Sequence, residues 1–343
     1  MSTVETIAER VGVSVKTVYR VINNDPSVKP DTATEIRRLL EQKSFKPKPV
    51  KTRPGKGRRH ARRHNRYYQL ALLSSIKTSM FETPVYSKLV RGVEDELGKL
   101  DYNLIVRNLP HENPEDSIPH KIDGAILLHL PAENKKLLRN LRLIPCVRIM
   151  GTPLENDFFD HVTYNNSSIG KMAAEYLLKK GHRRIAIFWS GNYKCQYAVE
   201  RYETFVSAVK AGGGEVSSFV NDSFVIEREN GQIPDVKLIM RAVEELLTSP
   251  KKPTAIFATV DMISVGLHYV LPHLNLVPGR DIEIIGCNND EKYLNPFLES
   301  KPVTIDIHPE QVGRKAVERL LWRIGNPKEP LGRIMLEPEL AFS

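Results

Sequence analysis

At 343 residues the chain exceeds what one small core needs, so two or more domains are expected. Its three cysteines, Cys146, Cys195 and Cys287, are far apart and lack any Cys-x-x-Cys spacing, which argues against a disulfide framework or a zinc site and fits a reducing cytoplasm. The net charge of +9 is local: Lys46 to Arg66 holds ten Lys/Arg and no Asp/Glu, so that segment carries +10 and the remainder about −1, an electrostatic footprint for a polyanion rather than a generally basic surface.

The chain opens on an amphipathic helix instead of an apolar signal region, and no 18-residue apolar run follows, so neither export nor a membrane span is expected. Ser2 with Glu5 forms a capping box, and Val4, Ile7, Ala8 and Val11 recur at helical spacing. Gly12 stops this helix because it tolerates a left-handed backbone. Ser14 caps a second helix whose Val18, Val21 and Ile22 face the first. In a third, Pro30 suits the first turn, Asp31 and Glu35 suit the dipole, and Ile36, Leu39 and Leu40 close a small core. Two helices joined at a glycine and buttressed by a third make a helix-turn-helix, which offers its second helix to the DNA major groove.

The basic tract comes next. Pro49, Pro54, Gly55 and Gly57 oppose a helix, and Arg58, Arg59, Arg62 and Arg63 suit an arm that follows phosphates or enters a narrow minor groove.

From Tyr67 the pattern alternates. Apolar strands are predicted at 69–74, 104–107, 124–128, 146–150, 184–189, 255–259, 283–286 and 303–306, with helices at 85–100, 168–180, 198–211, 236–247, 262–271 and 310–323. This implies parallel sheets covered on both faces, and the number of steps suits two doubly wound subdomains. Ligands of such sheets sit beyond the carboxyl ends of the strands, which selects Ser74 and Ser75, Trp189 and Ser190, Val260 and Asp261, and Asn288 and Asn289. Polar groups beside an aromatic plate suit a sugar-like ligand. No enzyme motif is present: Ala211 to Gly214 ends a helix instead of opening one after a strand, and His182 and His308 have no metal-ligand partner in sequence, so no catalytic residue, metal or cofactor is expected.

Ile7-Ala8, Gly12-Val13-Ser14, Thr17-Val18 and Arg20-Val21-Ile22-Asn23 together resemble the N-terminal signature of LacI-type bacterial transcription repressors. The likeness continues through Val162–Gly170, Gly181–Ala186, Pro253–Ala258, Ile284–Gly286 and Thr304-Ile305. It implies an all-α helix-turn-helix head (1–45), a basic linker (46–66) and a periplasmic-binding-protein-like effector domain (67–343) of two doubly wound parallel-sheet subdomains. The first would take about 67–180 and 308–328, the second about 181–307 and 329–343.

The resemblance places base-reading residues at Val15, Lys16 and Arg20. Arg20 suits bidentate pairing to guanine, Lys16 a guanine acceptor or a phosphate, and Val15 a thymine methyl. Tyr19 stands where the family has a small polar residue, and reaches a phosphate, reaches a base, or covers the helix edge. Thr3, Ser14, Thr17 and Asn23 fit phosphate anchors, Ser14 and Thr17 equally helix caps. For the effector, the likeness adds Tyr86, Asn165 and Arg201. Asn165 and Asn288 stand where Asp is common, and Val260 where Asn is common; the minor-groove leucine of the family's hinge helix is absent from Val50 to Gln69.

The expected function is a cytoplasmic regulator, a repressor, that binds a palindromic double-stranded operator as a homodimer and answers to a small sugar-like effector. Two alternatives stay open: a DNA-binding regulator that senses no small molecule, and a solute-binding protein of a transport system. No heptads trail the chain, so a coiled-coil tetramer is not expected.

Overall fold

The computed structural model describes residues 3–22, 28–42, 66–75, 81, 83–110, 112–130, 134–151, 158–189, 196–228, 231–290 and 302–341. Two compact units emerge, Met1–His64 and Asn65–Ser343.

In the first unit, α1 (Thr3–Val11), α2 (Val15–Ile22) and α3 (Pro30–Gln42) enclose Val4, Ile7, Ala8, Val18, Val21, Ile36, Leu39 and Leu40. Gly12 adopts φ +68°, and the Val13 amide returns to the Ala8 carbonyl at 2.9 Å, so α1 ends as its glycine predicts. Ser14 Oγ accepts from the Thr17 amide at 3.2 Å, which starts α2 within three residues of that stop.

The second unit is built on two parallel sheets. The first has the order β13-β5-β4-β3-β1-β2, from β1 (Gln69–Ser74), β2 (Asn103–Asn108), β3 (Gly124–Leu128), β4 (Cys146–Ile149), β5 (Asp160–Tyr164) and β13 (Arg333–Leu336). Helices α4 (Pro84–Gly98), α5 (Lys135–Leu141) and α10 (Pro309–Gly325) belong to this lobe. A Cβ on Gly92 would lie 2.1 Å from the Glu310 carbonyl oxygen, and one on Gly313 2.3 Å from that of Leu89. The absent side chains thus let α4 and α10 touch backbone to backbone.

The second sheet has the order β11-β10-β6-β7, from β6 (Arg184–Trp189), β7 (Glu215–Val220), β10 (Ala255–Ala258) and β11 (Glu283–Ile285). Around it lie α6 (Asn166–Lys179), α7 (Gln196–Ala211), α8 (Val236–Thr248) and α9 (Asp261–His273), with a hairpin of β8 (Val225–Arg228) and β9 (Gly231–Pro234). Between the lobes β12 (Thr304–Asp306) and β14 (Glu339–Ala341) form an antiparallel ladder.

Two boundaries differ from expectation. The chain leaves the first lobe at Asn165, not near 180. Helix α6 lies against α7, where a Cβ on Gly170 would meet the Arg201 carbonyl at 2.2 Å, and its Tyr176 hydroxyl and the following Lys180 ammonium both donate to Glu283 of β11. Residues 333–336, expected with the second lobe, pair instead with β5. The cause is a buried anion: Asp160 of β5 accepts from Arg319 and Arg323 of α10 at 2.6 Å each and from the Gly332 amide at 2.6 Å, which draws the last segment onto the first sheet.

Candidate functional sites: the second helix of the head and the inter-lobe cleft

Helix α2 buries Val18 and Val21 and leaves Val15, Lys16, Tyr19 and Arg20 exposed on the other side. At about 100° per residue Val18 and Val21 set the core face; Lys16 points most directly away from it, with Tyr19 and Arg20 flanking it on either side. Thr17, half-buried, shares a 2.9 Å hydrogen bond with Ser14, so both hydroxyls act locally as caps while lying at the helix start. Thr3 opens α1. Asn23, Arg58, Arg59, Arg62 and Arg63 lie outside the described residues.

In the second unit the strand ends bring together much of what the carboxyl-edge rule selects. Arg201, on α7, is 4% exposed. Its Nε donates to Asn166 Oδ1 at 2.8 Å, its Nη1 to the Thr259 carbonyl at 3.1 Å and to Cys287 Sγ at 3.4 Å, and its guanidinium lies 5.4 Å from the ring of Tyr164. Tyr164 closes β5 and Cys287 follows β11, so Arg201 joins both sheets at the crossover. Beside it Asp261 is fully buried, accepting from the Thr304 hydroxyl at 2.7 Å and the Asp290 amide at 2.8 Å.

Asn165 serves as the α6 cap: its Oδ1 accepts from the Ser168 amide at 3.1 Å and its Nδ2 donates to Glu337 at 2.9 Å. Asn288 is nearly buried at φ +113°, and its amide donates to the Ile305 carbonyl at 2.8 Å. Trp189 is buried and stacks on Tyr202 with centroids 5.0 Å apart, so this indole belongs to the core. Ser74 is buried and Ser75 half-buried at the end of β1. The half-buried Tyr86, in the first turn of α4, places its hydroxyl 3.0 Å from His129 Nε2.

Four contributors were not singled out from sequence. His129, the residue after β3, has φ +50°, and burial, then Arg148, pulls its imidazole down to about 4, so it is neutral at physiological pH. Lys88 of α4 donates to the Asn289 carbonyl at 2.8 Å, reaching from the first lobe to the loop after β11. Asp290 is buried, and its Oδ1 has no hydrogen-bond partner among the described residues. Burial and then the neighbouring Asp261 raise its carboxyl to about 8, while burial raises Asp261 to about 6 despite its donors. The fourth is Asn166, the Arg201 acceptor. None carries a motif; each matters because of what the crossover brings beside it. His308, expected to lack neighbouring metal-ligand partners, sits 3.7 Å from both Asp306 and Glu339, because β12 and β14 place those two directly opposite each other.

Against known proteins, residues 3–48 match the family described as "Bacterial regulatory proteins, lacI family" and residues 174–342 match "Periplasmic binding protein-like domain". The chain belongs to the LacI family. The Ribose operon repressor of Escherichia coli (strain K12) is 27% identical, over 99% of this chain and 98% of that protein. The HTH-type transcriptional repressor PurR of Pectobacterium atrosepticum is also 27% identical, over 99% and 95%. Among solved structures, a transcriptional regulator CelR–cellobiose complex superposes with a TM-score of 0.65 at 23% identity over 99% of this chain and 98% of that one. A LacI family transcriptional regulator from Enterococcus faecium with bound ribose gives 0.65 at 23% over 80% and 98%. These likenesses carry the fold of a LacI-family regulator, a helix-turn-helix head followed by two parallel-sheet lobes.

Proposed function

We propose that this chain is a sequence-specific DNA-binding transcription regulator, a repressor, whose hold on a palindromic operator is set by a small sugar-like effector between the two lobes. The observation that carries the reading is α2: an amphipathic helix, capped at Ser14, whose outward side offers Val15, Lys16, Tyr19 and Arg20 above a closed core. A helix so placed in a compact three-helix head suits the major groove, and a homodimer would present two copies to two half-sites. The names of the relatives, repressors rather than enzymes, support it. None of the described helices is long and apolar enough to cross a membrane. Cytoplasmic localisation follows from the DNA-binding role. A head that matches a regulator family removes the transport reading.

Arg201 is the proposed centre of effector binding, with Tyr86, Ser75, His129 and Asn288 around it. Effector binding would shift the lobes about the 165, 303–308 and 336–341 crossovers and so change the separation of the two heads in a dimer. A second reading, a regulator without small-molecule sensing, draws support from Asn165 and Asp261, whose polar atoms already serve the protein.

One experiment addresses both: select operator from a random duplex pool, then titrate it in the presence of D-ribose, cellobiose and a panel of other neutral sugars. A sugar that raises the melting temperature of wild type and changes operator affinity, and does neither with Arg201→Ala, supports the effector reading. A selected operator with no response across the panel supports the second. Failure to enrich any sequence refutes both.

A further inference from the structure

Val15 and Tyr19 are four residues apart on α2, one above the other on a single face. They are 39% and 50% exposed, whereas the head's core side chains, Val4, Ile7, Val18, Val21, Ile36, Leu39 and Leu40, are each under a tenth exposed. Among the described residues of the head, no other large apolar side chain is so open to solvent. The pair runs between the inward Ile22 edge and the outward Lys16–Arg20 stripe, which is also spaced by four.

Helix α2 therefore carries two parallel stripes, one apolar and one basic. The basic stripe, and the +10 segment that follows the head in the chain, select a polyanion as the occupant of this face. In the major groove of DNA the thymine 5-methyl is the apolar group available at base edges. Four residues of helix advance about 6 Å, and successive bases lie about 3.4 Å apart, so the apolar stripe covers about two base steps.

We propose that Val15 and Tyr19 together read thymine 5-methyl groups on one or two adjacent base pairs of each half-site, with the Tyr19 ring as a specificity-determining contact. The guanines met by Lys16 and Arg20 then lie within the same short window. This rests on the assignment of α2 to the major groove. It gives Tyr19 a base-edge role, not a phosphate contact through its hydroxyl.

The test uses the full chain and the operator selected from a random pool. Each thymine is replaced singly by deoxyuridine, which removes only the methyl. One or two positions per half-site should weaken wild-type binding about four-fold, the effect expected for exposing one buried methyl. In Tyr19→Ala that penalty should fall to within about 1.5-fold of none, and Tyr19→Phe should retain it, since the ring makes the contact. Val15→Ala should reduce the penalty at the same or the neighbouring thymine. Both side chains are exposed, and thermal unfolding of each variant verifies an intact head. The proposal is overturned if no thymine shows a penalty, or if Tyr19→Ala weakens every duplex equally while the penalty persists, which marks a phosphate contact. Failure to select any operator would instead refute the sequence-specific reading itself, and this assignment with it.

Discussion

Replacing Asp160 by Asn should destabilise the effector unit by about 3–5 kcal/mol, the cost of leaving a buried charge without its partner. Asp160 is fully buried and receives hydrogen bonds from Arg319 Nη2 at 2.6 Å, Arg323 Nε at 2.6 Å, Arg323 Nη2 at 3.0 Å and the Gly332 amide at 2.6 Å. Asparagine keeps the volume but removes the anion, and its NH2 meets guanidinium donors. The Arg323 side chain, 8% exposed, would keep only the carbonyls of Asn326, Glu329 and Pro330. Urea unfolding followed by circular dichroism measures the loss. Burial pushes the Asp160 carboxyl up, but the donors from Arg323, Arg319 and Gly332 outweigh it and hold the group below its ordinary range. Its contribution is therefore present above the unfolded-state value and lost as pH falls through the folded one. The gap between wild type and Asp160→Asn should accordingly stay constant near neutrality and narrow in acid. Adding Arg323→Met should recover part of the loss, because the uncompensated cation goes with it. A loss below about 1 kcal/mol, or a double variant no more stable than the single one, would refute this account of how β13 is held.

Asp290→Asn tests the buried carboxyl pair. Its raised value means that stability present in acid is lost as pH climbs from about 4 to about 8, with a slope of up to about 1.4 kcal/mol per pH unit. Among the described residues, the groups acting on Asp290 are Asp261, Lys88, Asn288 and Asp306. The variant should flatten that slope and be more stable than wild type at pH 8; an unchanged pH profile in thermal melts would show that Asp290 does not hold the proton. For the basic tract, neutralising Arg58, Arg59, Arg62 and Arg63 should weaken binding to operator and random DNA alike and reduce the log–log salt slope by roughly 0.9 for each phosphate that is no longer neutralised. An unchanged slope in filter-binding titrations would make the segment a tether only.

The head was legible because its signals are local. Gly12, Ser14 and the Val18/Val21 spacing each specify backbone within a few residues. The apolar strands β1, β3 and β6 and their helices were legible for the same reason. Strand β5 was missed as a strand because Asp160, His161 and Thr163 read as surface residues, and only arginines more than 150 positions away make that aspartate tolerable inside. Strand β7 lies at a sheet edge, where Ser217 and Ser218 break the apolar run. Strand β13 is short and partly exposed, and its pairing depends on the same Asp160 network. The cleft was half legible. Strand ends select Ser75, Asp261 and Asn288, and the family likeness supplies Arg201, but Lys88, His129 and Asp290 gain meaning only where α4 meets the loop after β11. The Trp189 indole shows the converse: the right strand end, with a side chain drawn under α7.

The placement of β13 also fixes an order of events during synthesis. Every described core residue of the head lies before residue 64, so the head can fold once the chain has grown well past that point, while most of the second unit is still being translated. The first sheet of the effector unit begins at Gln69 yet lacks its edge strand until Leu336 is made, after the whole second lobe has emerged. A chain cut short after the second lobe but before Gly332 would carry the three-helix head on a second unit with an open sheet edge and Asp160 short of its Gly332 donor. On the proposed function such a truncated product would keep its DNA contacts and lose their regulation, and its unpaired edge would expose it to proteolysis.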